Sequence, residues 1–121
     1  MPRSTPAACL VALAAVVSLS ACAGADDAAA VTVTVTATDD ACTIVPDSVA
    51  AGSVSVAVTN EGDQVTEVYV YGDGDSIVAE KEDITPGSSV DFTAELEAGS
   101  YQVACKPGQT GDGIRADLTV E

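Results

Sequence analysis

The chain has 121 residues, of which 19 are acidic and four basic, and its formal charge is −15 at pH 7. This length allows one domain, and this charge repels nucleic acid, so we do not expect nucleic acid as a partner. The chain contains no histidine, and Met1 is its only methionine. A Ser-His-Asp or Cys-His nucleophile and a histidine-ligated zinc, haem or copper are therefore excluded. We accordingly expect a protein that is not an enzyme.

The N-terminal segment has the features of an export signal. Arg3 supplies a positive charge, and an apolar run from Ala7 to Leu19 follows it. This run is too short to span a bilayer comfortably, which predicts a cleaved signal peptide over residues 1–21. The run ends in Leu-Ser-Ala-Cys, which resembles the lipobox of bacterial lipoproteins. The resemblance implies that Cys22 becomes the first residue and carries lipid, including palmitate.

Lipidation would fix the location of the rest of the chain. We expect an exported protein that is anchored by lipid to the outer face of the bacterial cytoplasmic membrane. Residues 22–30 would be the lipidated cysteine and a short tether, and the eight tether residues after Cys22 reach about 26 Å at most when extended. The chain from residue 22 onward has three basic and nineteen acidic residues, a formal charge of −16.

Polar and apolar residues alternate with a period of two through residues 31–121, which predicts strands with one buried face. The predicted strands are Val31–Thr38, Val54–Asn60, Glu67–Gly72, Ile77–Ile84, Ser89–Leu96, Ser100–Cys105 and Ala116–Val120. Gly, Pro and Asp clusters separate them, as in turns. The pattern predicts an all-β domain, a Greek-key β-sandwich of about seven strands.

Two tyrosines stand two positions apart in one predicted strand. Tyr69 and Tyr71 should therefore share one face of the sheet, because side chains alternate between faces along a strand. We expect them to contribute to sheet packing, and a small contact surface is the alternative.

Three segments near the strand ends resemble the cupredoxin family. They are Asn60-Glu61-Gly62, the run Gly99-Ser100-Tyr101 that leads to Cys105, and Pro107-Gly108-Gln109. In that family the first leads to a histidine ligand, the second delivers a thiolate, and the third contains a histidine that a methionine follows. In this chain Thr66 or Glu67 stands at the first histidine position, Gln109 at the second and Ile114 at the methionine position. Because a blue-copper site needs two imidazoles and a thiolate, we expect no such centre here.

A second resemblance is to the cupredoxin domain of EfeO-type iron-uptake lipoproteins. It rests on Asp39-Asp40-Ala41-Cys42, on Glu67, on the run from Glu80 to Gly87, and on Cys105. The resemblance implies that Cys42, Glu67 and Cys105 are metal ligands and leaves the metal open among copper, zinc and iron. It further implies a metal-binding accessory in iron or copper uptake, with other metal-uptake proteins of the envelope as partners.

The two cysteines of the domain also permit a different interpretation. Cysteine pairs in exported domains usually form disulfides, so Cys42 and Cys105 would be bonded and the chain would be an interaction module of the cell envelope with no metal. Both hypotheses require the two Cα atoms to lie within about 7 Å of each other. The metal hypothesis also requires Glu67 in the same cleft.

Overall fold

The structure is a computed structural model, and it describes residues 31–121. The predicted signal peptide of residues 1–21, the lipidation of Cys22 and the tether of residues 22–30 lie outside the described residues. Within residues 31–121 the chain forms nine strands and two short 3₁₀ turns. No helix in this part of the chain is long and apolar enough to cross a membrane.

The strands are numbered in chain order. They are β1 (Val31–Ala37), β2 (Cys42–Val45), β3 (Ser48–Val49), β4 (Gly52–Asn60), β5 (Thr66–Tyr71), β6 (Ile77–Ile84), β7 (Ser89–Leu96), β8 (Gly99–Cys105) and β9 (Ile114–Val120). A four-stranded sheet has the order β2-β1-β4-β7, and a five-stranded sheet has the order β3-β9-β8-β5-β6. Pairing is antiparallel except between β1 and β4 and between β3 and β9. This arrangement confirms the predicted all-β sandwich.

The core lies between the two sheets and consists mainly of valine. Period-two alternation directs one residue in two inward, and the fully buried members include Val33, Val35, Val56, Val68, Val70 and Val103. β-branched side chains suit strands because they pack well on a pleated surface. Leu118 and Ile84 complete the core from β9 and β6.

The structure has two strands more than the sequence predicts. β2 has four residues and β3 has two, and both lie in the segment from Asp39 to Val49. Asp39-Asp40 and Pro46 bracket β2, and so short a run between turn-forming residues gives almost no periodic signal. These two strands form at sheet edges because β1 and β9 supply pairing partners from elsewhere in the chain.

The direction of β1 defines the two ends of the sandwich. Val31 begins β1 and pairs with Val54, whereas Ala37 ends β1 and pairs with Cys42. We call the end at Val31 the tether end and the end at Cys42 the disulfide end. A strand of seven residues separates them by roughly 20 Å.

Candidate functional site at the disulfide end

Cys42 and Cys105 are joined by a disulfide bond. Their Cα atoms are 5.5 Å apart, within the usual range for a bridge. Cys42 begins β2 in one sheet and Cys105 ends β8 in the other, so the bond links the two sheets. Cys105 is fully buried in the core, and Cys42 packs against the core from a half-buried position. The structure thus contains the bond that the sequence offers as the alternative to metal binding.

Glu67 does not join the two cysteines. Val68 pairs with Cys105 across β5 and β8, and the amide of Lys106 donates to the carbonyl of Glu67 at 2.8 Å. Val68 and Cys105 share the inner face of the sheet, so Glu67 and Lys106 share the outer face. The five-stranded sheet therefore stands between the Glu67 carboxylate and the disulfide. The three residues that the resemblance offers as ligands are not brought into one cleft.

Four residues stand where the family resemblance places copper ligands other than the thiolate. Thr66 is buried and pairs with Ile84 of the core, so Thr66 and not Glu67 shares the inner face with Cys105. The side-chain oxygen of Gln109 accepts a hydrogen bond from the amide of Asp83 at 2.9 Å. Ile114 pairs directly with Cys105 across β8 and β9. A hydroxyl, an amide oxygen and an alkyl group do not supply the imidazoles of a blue-copper site, so the donor set does not fit that centre.

The acidic residues of this part of the chain do not compensate for the missing ligands. Among residues 31–121, no group of three or more Cys, Asp or Glu side chains is arranged to hold a metal ion. The sulfurs of Cys42 and Cys105 are bonded to each other, and only a thiolate is an effective sulfur ligand from cysteine.

The loops at the disulfide end are fixed by Asn60. Its side-chain nitrogen donates to the carbonyls of Gln64 at 2.8 Å and Ile84 at 2.9 Å, and its side-chain oxygen accepts from the amide of Gly62 at 2.9 Å. Asn60 is 1% exposed, and these three bonds to the backbone supply the hydrogen-bond partners that its buried side-chain amide needs. The Asn-x-Gly step that resembles the copper proteins thus has a structural role that needs no metal.

A carboxylate holds the same loop from outside. Asp39 accepts hydrogen bonds from the amides of Asp63 at 3.1 Å and Gln64 at 3.3 Å. A Cβ atom at Gly62 would collide with this carboxylate, which accounts for glycine at that position. Asp39 is therefore engaged with the loop backbone.

The outer face of the five-stranded sheet carries an aromatic and charged layer. The rings of Tyr69 and Tyr71 are stacked with centroids 5.5 Å apart, which agrees with their predicted shared face. Lys106 Nζ lies 4.0 Å from the Tyr69 centroid, and the Arg115 guanidinium lies 4.4 Å from that of Tyr71. Arg115 also forms an ion pair with Asp75 at 2.8 Å, and this hydrogen bond raises the pKa of Arg115.

Glu67 lies at one end of this layer. It is 9% exposed, and burial raises the pKa of its carboxyl, with a smaller opposing influence from Lys106 and further raising by Glu82, Glu80 and Asp83. No hydrogen bond or ion pair from residues 31–121 reaches the carboxylate. Sequence reasoning did not find this grouping, because it treated Glu67 as a partner of the cysteines. The signal was the alternation of β5, which places Glu67 with Tyr69 and Tyr71.

These observations define a β-sandwich of the cupredoxin type in which the cysteine at the thiolate position is bonded to a second cysteine. The sequence profile of the cupredoxin-like domain matches residues 9–120. The chain belongs to the cupredoxin-like domain family. No curated protein sequence matches the chain.

Three solved structures are similar to this chain in fold. The chain is 17% identical to a reduced auracyanin from Roseiflexus castenholzii, over 78% of this chain and 99% of that one, with a TM-score of 0.59. For auracyanin A, a "blue" copper protein from Chloroflexus aurantiacus, the identity is 16%, the coverages are 77% and 100%, and the TM-score is 0.56. A rusticyanin mutant is 21% identical, with coverages of 77% and 80% and a TM-score of 0.52. At these identities the likeness concerns the fold alone.

Proposed function

We propose that this protein is an exported, lipid-anchored binding module whose cupredoxin-like domain works without a blue-copper centre. The observation that supports the proposal is the state of Cys105. Of the residues at the copper-ligand positions of the family, Cys105 is the one whose side chain could bind copper. Cys105 is fully buried and bonded to Cys42. A disulfide sulfur is not a thiolate, so in this state neither Cys42 nor Cys105 can act as a thiolate ligand to a metal. We therefore infer that the domain acts by binding through its surface.

The proposed location rests on the signal segment, and the disulfide supports it. Cys22, at the end of the lipobox-like sequence, would carry the anchor on the outer face of the bacterial cytoplasmic membrane. Disulfides persist in such exported compartments and are rare in the cytosol. β1 begins next to the tether, so the disulfide end would point away from the membrane and toward other proteins of the envelope.

A second function is metal handling in iron or copper uptake, as the resemblance to EfeO-type lipoproteins implies. One observation favours it: reduction of the bond would leave two sulfurs side by side, on cysteines with Cα atoms 5.5 Å apart. Two thiolates suit Cu(I) or Zn(II). Glu67 would not complete this site, because it lies on the other face of the sheet. The two functions therefore differ in the oxidation state of one cysteine pair.

A thiol count and a metal titration decide between these functions. The full processed chain, purified in neutral detergent without reductant, should show no free thiol when denatured and should not bind Cu(I) or Zn(II) tightly. Cys42→Ser/Cys105→Ser is the matched control, since it lacks both thiols in either redox state. Two free thiols in protein handled anaerobically, together with metal binding that the double variant loses, would overturn the metal-free function.

Two further measurements test the colour and the anchor. Addition of Cu(II) should give no intense visible band, because Gln109 and Ile114 replace the ligands that such a band requires. Cys22→Ala should release the protein from membranes or block its processing, since two or more acyl chains anchor far more firmly than one. A stable blue species, or a processed Cys22→Ala protein that stays with the membrane, would contradict the respective assignment.

A further inference from the structure

The outer face of the five-stranded sheet contains a buried carboxylate without a partner. Glu67 is 9% exposed, and no hydrogen bond or ion pair within residues 31–121 reaches its side chain. Buried polar groups in proteins are almost always paired, and an unpaired buried charge is strongly unfavourable. A group of this kind calls for a specific explanation, and a ligand that pairs with it is one.

Three exposed carboxylates stand on the neighbouring strand. Tyr69 pairs with Glu80 across β5 and β6, so these residues and Glu82, two positions on, share the outer face with Glu67. A bulge between the pairs of Thr66 and Val68 brings Asp83 into the same region, with a φ of 56°. We call this group, Glu67, Glu80, Glu82 and Asp83, the outer-face acidic cluster.

Within residues 31–121, none of the chain's own cations forms an ion pair with the outer-face acidic cluster. Residues 31–121 contain three basic side chains. Lys106 lies over the Tyr69 ring and not within 4.0 Å of any carboxylate of the described residues, and Arg115 is held by Asp75 and by Gln102 at 3.1 Å. Lys81 pairs with Val68, on the other side of the strand from Glu67. The outer-face acidic cluster therefore retains an excess of negative charge.

We propose that the outer-face acidic cluster binds an ammonium or guanidinium side chain of a partner protein, with Glu67 as the buried counter-ion. This inference rests on the proposed function as a binding module and names the surface and the chemistry of its partner. The layer beside the cluster already accommodates both kinds of cation, an ammonium over Tyr69 and a guanidinium over Tyr71. A cation from outside would find the same aromatic and acidic surroundings.

Other ligands fit less well. No three-residue set in residues 31–121 is arranged for a metal ion, and an anion would be repelled. A second copy of this chain would bring the same excess of acid and few available cations. A protein partner fits because β6 is an edge strand of its sheet, with only β5 hydrogen-bonded to it in the described chain. Its outer edge can accept a partner's backbone while a basic side chain reaches the cluster.

The test uses synthetic tetralysine and tetraarginine peptides and the full processed chain in zwitterionic detergent. Affinity is measured by calorimetry at low salt and at about 0.3 M salt, where exposed charge interactions are largely screened. Glu67→Gln is compared with Glu95→Gln, which removes an exposed carboxylate from β7 of the other sheet. We expect Glu67→Gln to raise the dissociation constant about tenfold and to retain that effect at high salt, as for truncation of a buried charge pair. We expect less than about a twofold change from Glu95→Gln.

Carbodiimide coupling of bound tetralysine, followed by mass spectrometry, should place the cross-link on the outer-face acidic cluster. Equal losses for the two variants would show attraction by net charge alone and would overturn the proposal. Displacement of the peptides by one equivalent of Ca²⁺ in the wild type, but not in Glu67→Gln, would assign the site to an inorganic cation instead. All measurements use the disulfide-bonded form. Free thiols or a cysteine metal site would contradict the proposed function without changing how this result is interpreted.

Discussion

At the end of strand β8, the inner and outer faces of the five-stranded sheet differ in how their reactive side chains are paired. On the inner face Cys105 is buried and covalently bonded to Cys42, so neither of these cysteines has a free thiol. On the outer face the next residue, Lys106, lies beside the Tyr69 ring while the nearby Glu67 carboxylate has no partner from the described chain. The neighbouring residues Cys105 and Lys106 therefore belong to different sites. Cys105 is part of a structural disulfide, and Lys106 is part of a charged surface in which Glu67 is unpaired. This difference is why we place the proposed binding on the outer face.

The comparison also separates stability from recognition. A bond between the two sheets constrains the unfolded chain and stabilises the sandwich whatever the domain binds. A buried carboxylate without a partner acts in the opposite direction, because its ionised form is better solvated in the unfolded chain.

Loss of the disulfide should have the largest effect. Reduction, or Cys42→Ser/Cys105→Ser, removes a cross-link between residues 63 positions apart. The chain-entropy treatment gives about 4 kcal/mol of lost stability for a loop of this size. Chemical denaturation with and without reductant measures the effect, and the double variant should not respond to reductant. An unchanged midpoint on reduction would show that the bond does not contribute as expected.

Loss of the Asn60 side chain should have the next largest effect. Asn60→Ala removes three hydrogen bonds and leaves the carbonyls of Gln64 and Ile84 and the amide of Gly62 without that partner. Unpaired buried groups of this kind destabilise by about 1–3 kcal/mol. Thr59→Ala, at the half-buried neighbouring position, removes only an exposed hydroxyl hydrogen bond to Ser89, so it is the matched control and should have a small effect. If both substitutions shift the denaturation midpoint equally, Asn60 does not have the structural role assigned to it.

The sequence predicts the sandwich well because alternation is a local property. Val33, Val35, Val56 and Val68 occupy inward positions that period two alone identifies. Compartment and strand ends offered the bond between Cys42 and Cys105 as one of two alternatives, and the structure contains that bond. The position of Glu67 could not be predicted in this way. The family resemblance permitted either Thr66 or Glu67 at the first histidine position, and neighbouring residues of a strand face opposite sides of the sheet. Alternation along β5 groups Glu67 with Tyr69 and Tyr71, but only the pairing of β5 with β8, a segment distant in sequence, fixes which of the two groups of side chains shares a face with Cys105.

Replacement of Glu67 should stabilise the protein in a pH-dependent way. Burial raises the pKa of Glu67 above the ordinary 4.5, so the folded state holds its proton at pH values where the unfolded state has lost it. The contribution of this group to stability therefore falls as pH rises from about that value through the folded-state pKa. Glu67→Gln should raise the melting temperature at pH 7 and have little effect near pH 3. Melting curves across this range, with Glu95→Gln as control, measure the difference, and a destabilised variant at pH 7 would contradict the absence of a partner.

Replacement of Lys106 should have the smallest effect. It tests whether Lys106 pairs with the Glu67 carboxylate in solution. Lys106→Met keeps an apolar stem over Tyr69 and removes the ammonium, whose contact with an aromatic ring contributes about 0.5–1 kcal/mol at exposed sites. Lys106 also lowers the pKa of Glu67, so its loss should raise that pKa further. A double-mutant cycle with Glu67→Gln measures the coupling between the two residues from denaturation midpoints, and Lys81→Met is the matched control because Lys81 lies on the other side of its strand. A small coupling is expected if the ammonium mainly contacts the ring. Coupling as strong as that of a buried ion pair would mean that Lys106 is the partner of Glu67 in solution, and the outer face would then be closed like the inner one.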